Sequence, residues 1–260
     1  MSQVIAEIFE AGGFPVVAGI VASIVTMIII LTSLTKAPVA MKPDDFQNFK
    51  LKKRVELNHD TRLYTFALQT PTTVLGLPIG QHITLRFKDK DGKNVQRSYT
   101  PVTGDETLGE VTFIIKVYRA NVHPKFPNGG KMSQHLDSLK IGEAIEMKGP
   151  KGESTLTTFV HFVSKMESHV TKIVNETGHL TYLGSGKFTV KQMRKPLQER
   201  KAKHFGFIAG GTGITPVMQV VKAIFRETKD TSTTMSVLYA NQSKFLNDVL
   251  RLASLGNLKI

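Results

Sequence analysis

The chain has 260 residues, 41% of them hydrophobic, which allows one large or two modest domains with real cores. Cysteine is absent, which excludes a disulfide framework, thiolate metal sites and a cysteine nucleophile. A formal net charge of +13 at pH 7 calls for acidic partners: an anionic protein, a membrane surface or nucleic acid.

The amino terminus narrows that choice. Ala11 to Thr35 carry no charge, and Val16 to Leu34 are almost continuously apolar. At about 1.5 Å per residue such a run exceeds the ~30 Å hydrocarbon core of a bilayer, so a transmembrane helix is expected, with lipid contact over residues 11–35. Glu7 and Glu10 precede it, and Lys36, Lys42, Lys50, Lys52, Lys53 and Arg54 follow. This asymmetry puts the carboxyl-terminal bulk in the cytosol. A cleaved signal peptide would have a basic start and a shorter apolar core, and this segment has neither. Residues 1–36 therefore read as a membrane anchor and 37–49, with Pro38 and Pro43, as a polar tether.

Residues 50–152 carry strand signals. Lys50–Leu57 alternates in part, and Thr61–Leu68 and His82–Phe87 more clearly. Asp89-Lys90-Asp91-Gly92-Lys93 reads as a hairpin turn, and Gly109 to Tyr118 as another β-prone run. Short strands between Gly and Pro turns predict an antiparallel β-barrel. Within it lies Arg97-Ser98-Tyr99-Thr100-Pro101. Arg97 offers a forked donor to a pyrophosphate, Tyr99 a flat face and a hydroxyl, and Thr100 a hydrogen-bonding group for a cofactor ring. A surface arginine and a half-buried strand tyrosine ahead of a Pro turn would look the same. Further on, Gly129-Gly130-Lys131-Met132-Ser133 opens a helix-like stretch, Gln134 to Leu139. Glycines let backbone amides converge on a phosphate, and a helix amino terminus adds a favourable field. Lys131 adds charge, and Ser133 can cap the helix or bond the phosphate. An ordinary capped helix after a turn reads alike.

From Phe205 the period changes. Phe205–Ala209 is a buried-strand signal, Gly210-Gly211-Thr212-Gly213-Ile214-Thr215-Pro216 a glycine turn, and Pro216–Arg226 a helical run. Met235–Ala240 is a second buried strand. Strand, helix, strand is a βαβ unit, the core of a doubly wound, Rossmann-like nucleotide domain. The turn is neither GxGxxG nor a Walker sequence, yet it allows close backbone approach by a cofactor; a plain tight turn remains the alternative.

Taken in order, Gly80-Gln81-His82, Arg97 to Pro101, Ile115-Lys116-Val117-Tyr118, His123-Pro124-Lys125-Phe126-Pro127, Gly129 to Ser133 and Gly206 to Pro216 resemble the NADH–cytochrome b5 reductase family, among the ferredoxin–NADP reductase-like flavoproteins. The resemblance covers roughly 40–152 and 179–242. It implies an FAD-binding barrel at 50–152, a linker at 179–204 and an NAD-binding α/β domain from 205 to 260. By that resemblance Arg97, Ser98, Tyr99, Thr100, Ile114, Lys116, Lys131, Met132, Ser133 and Thr215 contact FAD. Gly210, Gly211, Thr212 and Gly213 line the NADH cleft, and Thr100 and Lys116 stand at the reacting end. Ser98 replaces a proline common in relatives. The implied electron donor is NADH, the acceptor cytochrome b5 or a similar acidic haem protein, and the location the endoplasmic reticulum or mitochondrial outer membrane.

The chain departs from that pattern twice. Glu153–Gly178 stands between segments that are adjacent in relatives, and an amphipathic helix is expected around Phe159–Val174. It carries an Asn175-Glu176-Thr177 sequon, unused in a cytosolic orientation. The chain also ends at Ile260, whereas relatives run on through further strands and helices. An incomplete nucleotide domain is expected, with FAD retained and NADH binding weakened or lost. The competing reading is a non-catalytic, membrane-tethered flavin-binding or interaction protein. Nucleic acid is not expected as a partner, since the basic residues cluster beside the anchor and in Lys187–Lys203 without an aromatic platform. No metal site is expected, since His161 and His169 lack a third ligand nearby.

Overall fold

A computed structural model describes residues 14–34, 37–122, 124, 127–150, 161–166, 169–174, 178–192, 195–227 and 232–240. The His123-to-Phe126 part of one motif, the Asn175–Thr177 sequon and residues 241–260 fall largely or wholly outside them. Two units emerge, residues 1–38 and 39–260. Among its described residues the first contains the helix α1 (Phe14–Leu34), built from the uncharged run. Ile20, Val21, Ile24, Val25, Met27 and Ile28 are exposed along it. Side chains are described only for residues 18–28 of α1. Among the described residues no helix is long and apolar enough to cross a membrane.

The second unit begins with six antiparallel strands: β1 (Gln47–Glu56), β2 (Thr61–Ala67), β3 (Ile83–Lys88), β4 (Asn94–Tyr99), β5 (Glu110–Lys116) and β6 (Ala144–Lys148), in the order β4-β3-β6-β1-β2-β5. The two outer strands meet just past β4. There Val102 N–H donates to the Thr112 carbonyl at 2.8 Å, and Thr112 N–H donates to Thr103 Oγ1 at 2.9 Å. The sheet thereby curls into the expected barrel. Alternation sends Tyr64, Phe66, Phe113 and Ile115 inward with Phe49, Leu85 and Met147, all buried. Phe66 meets Phe113 edge-on at 6.1 Å. The helix α2 (Lys131–Ser138) closes one end by inserting Met132 and Leu136 into this core. The β3–β4 turn is held by Asp89, whose Oδ1 accepts the N–H groups of Asp91 (3.1 Å) and Lys93 (2.9 Å).

Residues 179–204, read as a linker, are instead a folded layer. They supply β9 (Gly178–Gly184), β10 (Lys187–Gln192) and β11 (Gln198–Lys201), an antiparallel three-stranded sheet. Alternating apolar residues explain it: Tyr182, Phe188 and Val190 are buried around Phe205, with ring centroids 5.8 and 5.5 Å from Tyr182 and Phe188. The βαβ unit is present as β12 (His204–Gly210), α3 (Ile214–Arg226) and β13 (Thr234–Ala240), with β12 and β13 parallel. Val217, Val220, Val221 and Ile224 of α3 pack on Phe205, Phe207 and Ala209 of β12.

The stretch expected as an amphipathic helix forms strands: β7 (His161–Met166) and β8 (His169–Val174). Phe162 and Val163 in the first and Val170, Thr171, Ile173 and Val174 in the second are β-prone residue types that favour strands over a helix. The hairpin adds to β12 antiparallel, from His204↔Lys165 to Ile208↔His161, giving the order β13-β12-β7-β8. The second domain therefore has a mixed four-stranded sheet rather than two parallel strands.

Candidate flavin and nucleotide site

Three pieces of the barrel half converge at one end. On β4, Arg97 and Tyr99 share a face and Thr100 follows, half-buried. On β5, Ile115 points into the barrel core, so its neighbours Ile114 and Lys116 share the outer face; Ile114 is buried in the second core. The third piece is the start of α2. Tyr118 ties it to β5: its carbonyl accepts Gly130 N–H at 2.8 Å, and its N–H donates to Ser133 Oγ at 3.1 Å. The Lys116 ammonium lies 5.9 Å from the Tyr118 ring centroid. Tyr99 belongs to the same group, because its hydroxyl feels both Arg97 and Tyr118. Burial above all, with Tyr118 adding to it against Arg97, pushes the Tyr99 hydroxyl up to about 12, so it stays a neutral donor.

The chemistry of this end fits a diphosphate. Gly130 caps α2 with no side-chain hydrogen bond, so the first-turn N–H groups keep their donor capacity. Arg97 and Lys131 add cationic donors. A Cβ at Gly130 would stand 2.6 Å from Ser133 Oγ and 3.2 Å from Tyr118 Cβ, so a side chain there would have to displace the Ser133 hydroxyl. Gly129 has φ +63°, and a Cβ there would meet the Tyr118 carbonyl.

Two carboxylates hold the lysines. Lys116 pairs with Asp60 at 2.8 Å, and Lys131 with Asp89 at 3.0 Å. Burial alone would raise the Asp60 carboxyl; hydrogen bonds from Lys116 and Thr61, with the Lys116 and His59 charges, take it below its ordinary value instead. The Asp89 carboxyl is also lowered, by its Lys131 hydrogen bond first and the Lys93 N–H next.

The glycine turn comes from the other half. β12 ends at Gly210, Gly211–Gly213 form a single 3₁₀ turn, and Thr215 is buried in the first turn of α3. This turn packs against β5, the strand that carries Ile114 and Lys116. Tyr239 of β13 pins it by donating its hydroxyl to the Gly211 carbonyl at 2.9 Å. Burial pushes that hydroxyl up to about 12, which keeps the donor protonated.

Of the residues picked from sequence, Arg97, Tyr99, Lys116, Gly130, Lys131 and Ser133 are brought together, with Ile114 on the face that meets the second half. Ser98 lies on the opposite face of β4, and the Met132 side chain is committed to the barrel core, which leaves its backbone N–H for the site. Of Thr212 only the backbone is described. Sequence reasoning missed Asp60, Asp89 and Tyr239. Asp89 sits in a stretch that reads as a hairpin turn, Asp60 between two strand runs, and Tyr239 read as an ordinary strand residue. A cavity of about 740 Å³ also runs along the seam between the halves, among Leu77, Ile79, Thr103, Tyr182, Lys222 and Ala223. It touches none of the motif residues.

Residues 48–156 match the oxidoreductase FAD-binding domain family, and residues 207–256 the oxidoreductase NAD-binding domain family. NADH-cytochrome b5 reductase 2 of Gallus gallus is 44% identical over 85% of this chain and 64% of its own length. NADH-cytochrome b5 reductase 1 of Bos taurus is 42% identical over 80% of this chain and 60% of its own. The chain thus spans less than two thirds of these relatives. The crystal structure of the cytochrome b5 reductase domain of Ulva prolifera nitrate reductase superposes with a TM-score of 0.66 at 34% identity, covering 85% of this chain and 72% of that one. The two domain matches, the barrel and βαβ unit that they cover, and the likeness to a solved reductase domain therefore place this chain in the cytochrome b5 reductase family of FAD- and NAD-binding oxidoreductases.

Proposed function

We propose that the chain is a membrane-anchored flavoprotein reductase that carries electrons from NADH through FAD to cytochrome b5 or a similar acidic haem protein. The observation that carries this reading is the meeting of the donor-rich end of the barrel with the glycine turn on β5. Arg97, Lys131 and the first-turn amides of α2 would hold the diphosphate of FAD, and Ser133 would steady it. Tyr99 offers a flat, neutral face. Ile114 supplies apolar contact, and Thr100 and Lys116 stand at the reacting end. Bound FAD supplies two-electron uptake and one-electron release. The chain's part is then to orient, exclude water and hold charge, with Asp60 fixing the Lys116 ammonium at 2.8 Å. Gly210, Gly211 and Gly213 leave room for nucleotide backbone approach at the end of β12, and Thr215 opens the helix behind them.

Anchoring rests on the uncharged, largely apolar sequence from Ala11 to Thr35 and on the lysines that follow it. The cytosolic face of the endoplasmic reticulum or of the mitochondrial outer membrane is the location that orientation supports. The excess of +13 suits anionic lipid and an acidic electron acceptor.

The test is the visible spectrum of the purified full chain in detergent, before and after anaerobic NADH. Bound flavin that bleaches supports the reductase. Bound flavin that stays oxidised leaves a tethered flavin protein without NADH turnover, and absence of flavin defeats both readings.

A further inference from the structure

The helix α3 does more than pack. Its apolar stripe faces the second core, and a second stripe, Gln219, Lys222 and Arg226, spaced one turn apart, faces the barrel. Gln219 Oε1 accepts the Gly80 N–H at 2.8 Å. Lys222 Nζ donates to the Val102 carbonyl at 2.6 Å. Arg226 Nη1 pairs with Glu106 Oε1 at 2.8 Å. The first two contacts are buried, Gln219 and Lys222 being 8% and 9% exposed. The third is more open, with Arg226 47% exposed, and contributes less.

Both buried contacts fall on barrel backbone. Val102 follows Tyr99-Thr100-Pro101. Gly80 leads into β3, whose Ile83 pairs with Tyr99. The two points therefore flank the strand end that carries Tyr99 and Thr100, before and behind. Gly80 has φ +93°, and a Cβ there would meet the Leu180 carbonyl of β9, so the backbones of the two halves approach closely here. At its other end α3 begins on the glycine turn. The helix is thus a strut from the turn to the Tyr99–Thr100 end. Beside it the seam is open, a cavity of about 740 Å³, so close packing alone does not set the spacing there. Burying an ammonium against one carbonyl is costly in itself. Burial and the Arg226 charge both push its pKa down, against Glu106.

We infer that Lys222 and Gln219 are positioning residues that fix the spacing between the Tyr99–Thr100 end of the barrel and the glycine turn. The inference rests on reading the two halves as flavin and nucleotide halves. Neither side chain meets the cofactors; each acts through backbone it holds.

The test compares Lys222→Met, Gln219→Met and Lys222→Arg with the parent in the FAD-loaded full chain in detergent. The first readout is amide hydrogen exchange. In both Met variants exchange at Gly80 should rise roughly tenfold or more while Phe113, inside the barrel, keeps its protection. Lys222→Arg retains a donor and should stay near the parent. The second readout is anaerobic bleaching by NADH. The limiting rate should fall roughly tenfold, with the half-saturating NADH concentration and the flavin content unchanged. Unaltered exchange at Gly80 in Lys222→Met overturns the inference. So does an equal loss of protection at Phe113, or a Lys222→Arg chain that behaves like Lys222→Met. A parent whose flavin NADH does not bleach defeats the reductase reading alone, and exchange at Gly80 still decides whether the strut holds the seam.

Discussion

At the scale of single residues, the site is a set of cations around an uncapped helix terminus. Arg97 is the one that brings a planar fork, and among the described contacts it meets only the neighbouring Gln96 carbonyl, at 2.7 Å. Arg97→Ala should therefore weaken FAD retention by at least tenfold, with a charged hydrogen bond contributing about 1.5–3 kcal/mol. Arg97→Lys should recover only part of it, because an ammonium cannot make the forked contact. Flavin absorbance per chain after gel filtration measures both. Gly129→Ala tests the cradle. Its left-handed backbone and the facing Tyr118 carbonyl predict a loss of about 1–3 kcal/mol, read as a lower urea midpoint. Much of this was legible, since Arg97, Tyr99 and the glycine pair announce themselves by type and order. Asp60 and Asp89 did not. Which carboxylate balances Lys116 or Lys131 depends on chain crossings far apart in sequence, and nothing local to either aspartate records that partner.

At the scale of elements, α2 joins the barrel's end to its cradle, and one contact makes that joint sensitive to pH. His135 stacks on Phe87 of β3, centroids 3.9 Å apart and planes 3° from parallel. Burial lowers its pKa from 6.5, with the Glu143 charge opposing. The unfolded chain thus binds this proton more readily than the folded one, so folding favours the neutral ring. Stability should fall as pH drops below about 6.5 and level off once the folded ring is itself protonated. His135→Phe keeps a stacking ring and should flatten the melting temperature across that window; an unchanged slope would assign the effect elsewhere. Element legibility was uneven for a physical reason. The strong period-two runs of β2 and β3 and the helical run of α3 were evident, whereas β9 to β11 were read as a linker. Their burial comes from Phe205 and α3, elements that follow them in the chain. The Glu153–Gly178 stretch misled because its scattered apolar residues satisfy a helical and a strand period alike, and pairing with β12 decided between them.

At the scale of the whole molecule, the βαβ unit alone would leave one backbone edge of β12 unpaired. The β7–β8 hairpin occupies it from His204 to Ile208. Deleting residues 153–178 would bare those N–H and C=O groups, and bare edges recruit other chains. The deleted chain should self-associate with rising concentration in sedimentation velocity under conditions where the full chain does not. A monodisperse deletion would mean that another segment seals the edge. The family assignment, barrel plus βαβ unit, was readable because ordered motifs span both halves. The mixed sheet was not, since β7 and β12 lie some forty residues apart and no local pattern marks that pairing.

The strut across the seam has a genetic consequence. Its two buried contacts fall on main-chain groups of the barrel, the Gly80 N–H and the Val102 carbonyl, which every non-proline residue presents. Substitution at Val102 by another apolar residue leaves the carbonyl in place. Substitution at Gln219 or Lys222 removes the side-chain partner of the contact outright. A saturation library scored for flavin reduction should thus be lopsided: intolerant at 219 and 222, intolerant at Gly80 for its backbone, and permissive toward apolar exchange at 102. Sequence drift across the seam would then be carried at Val102, while Gly80 and the helix stay constrained.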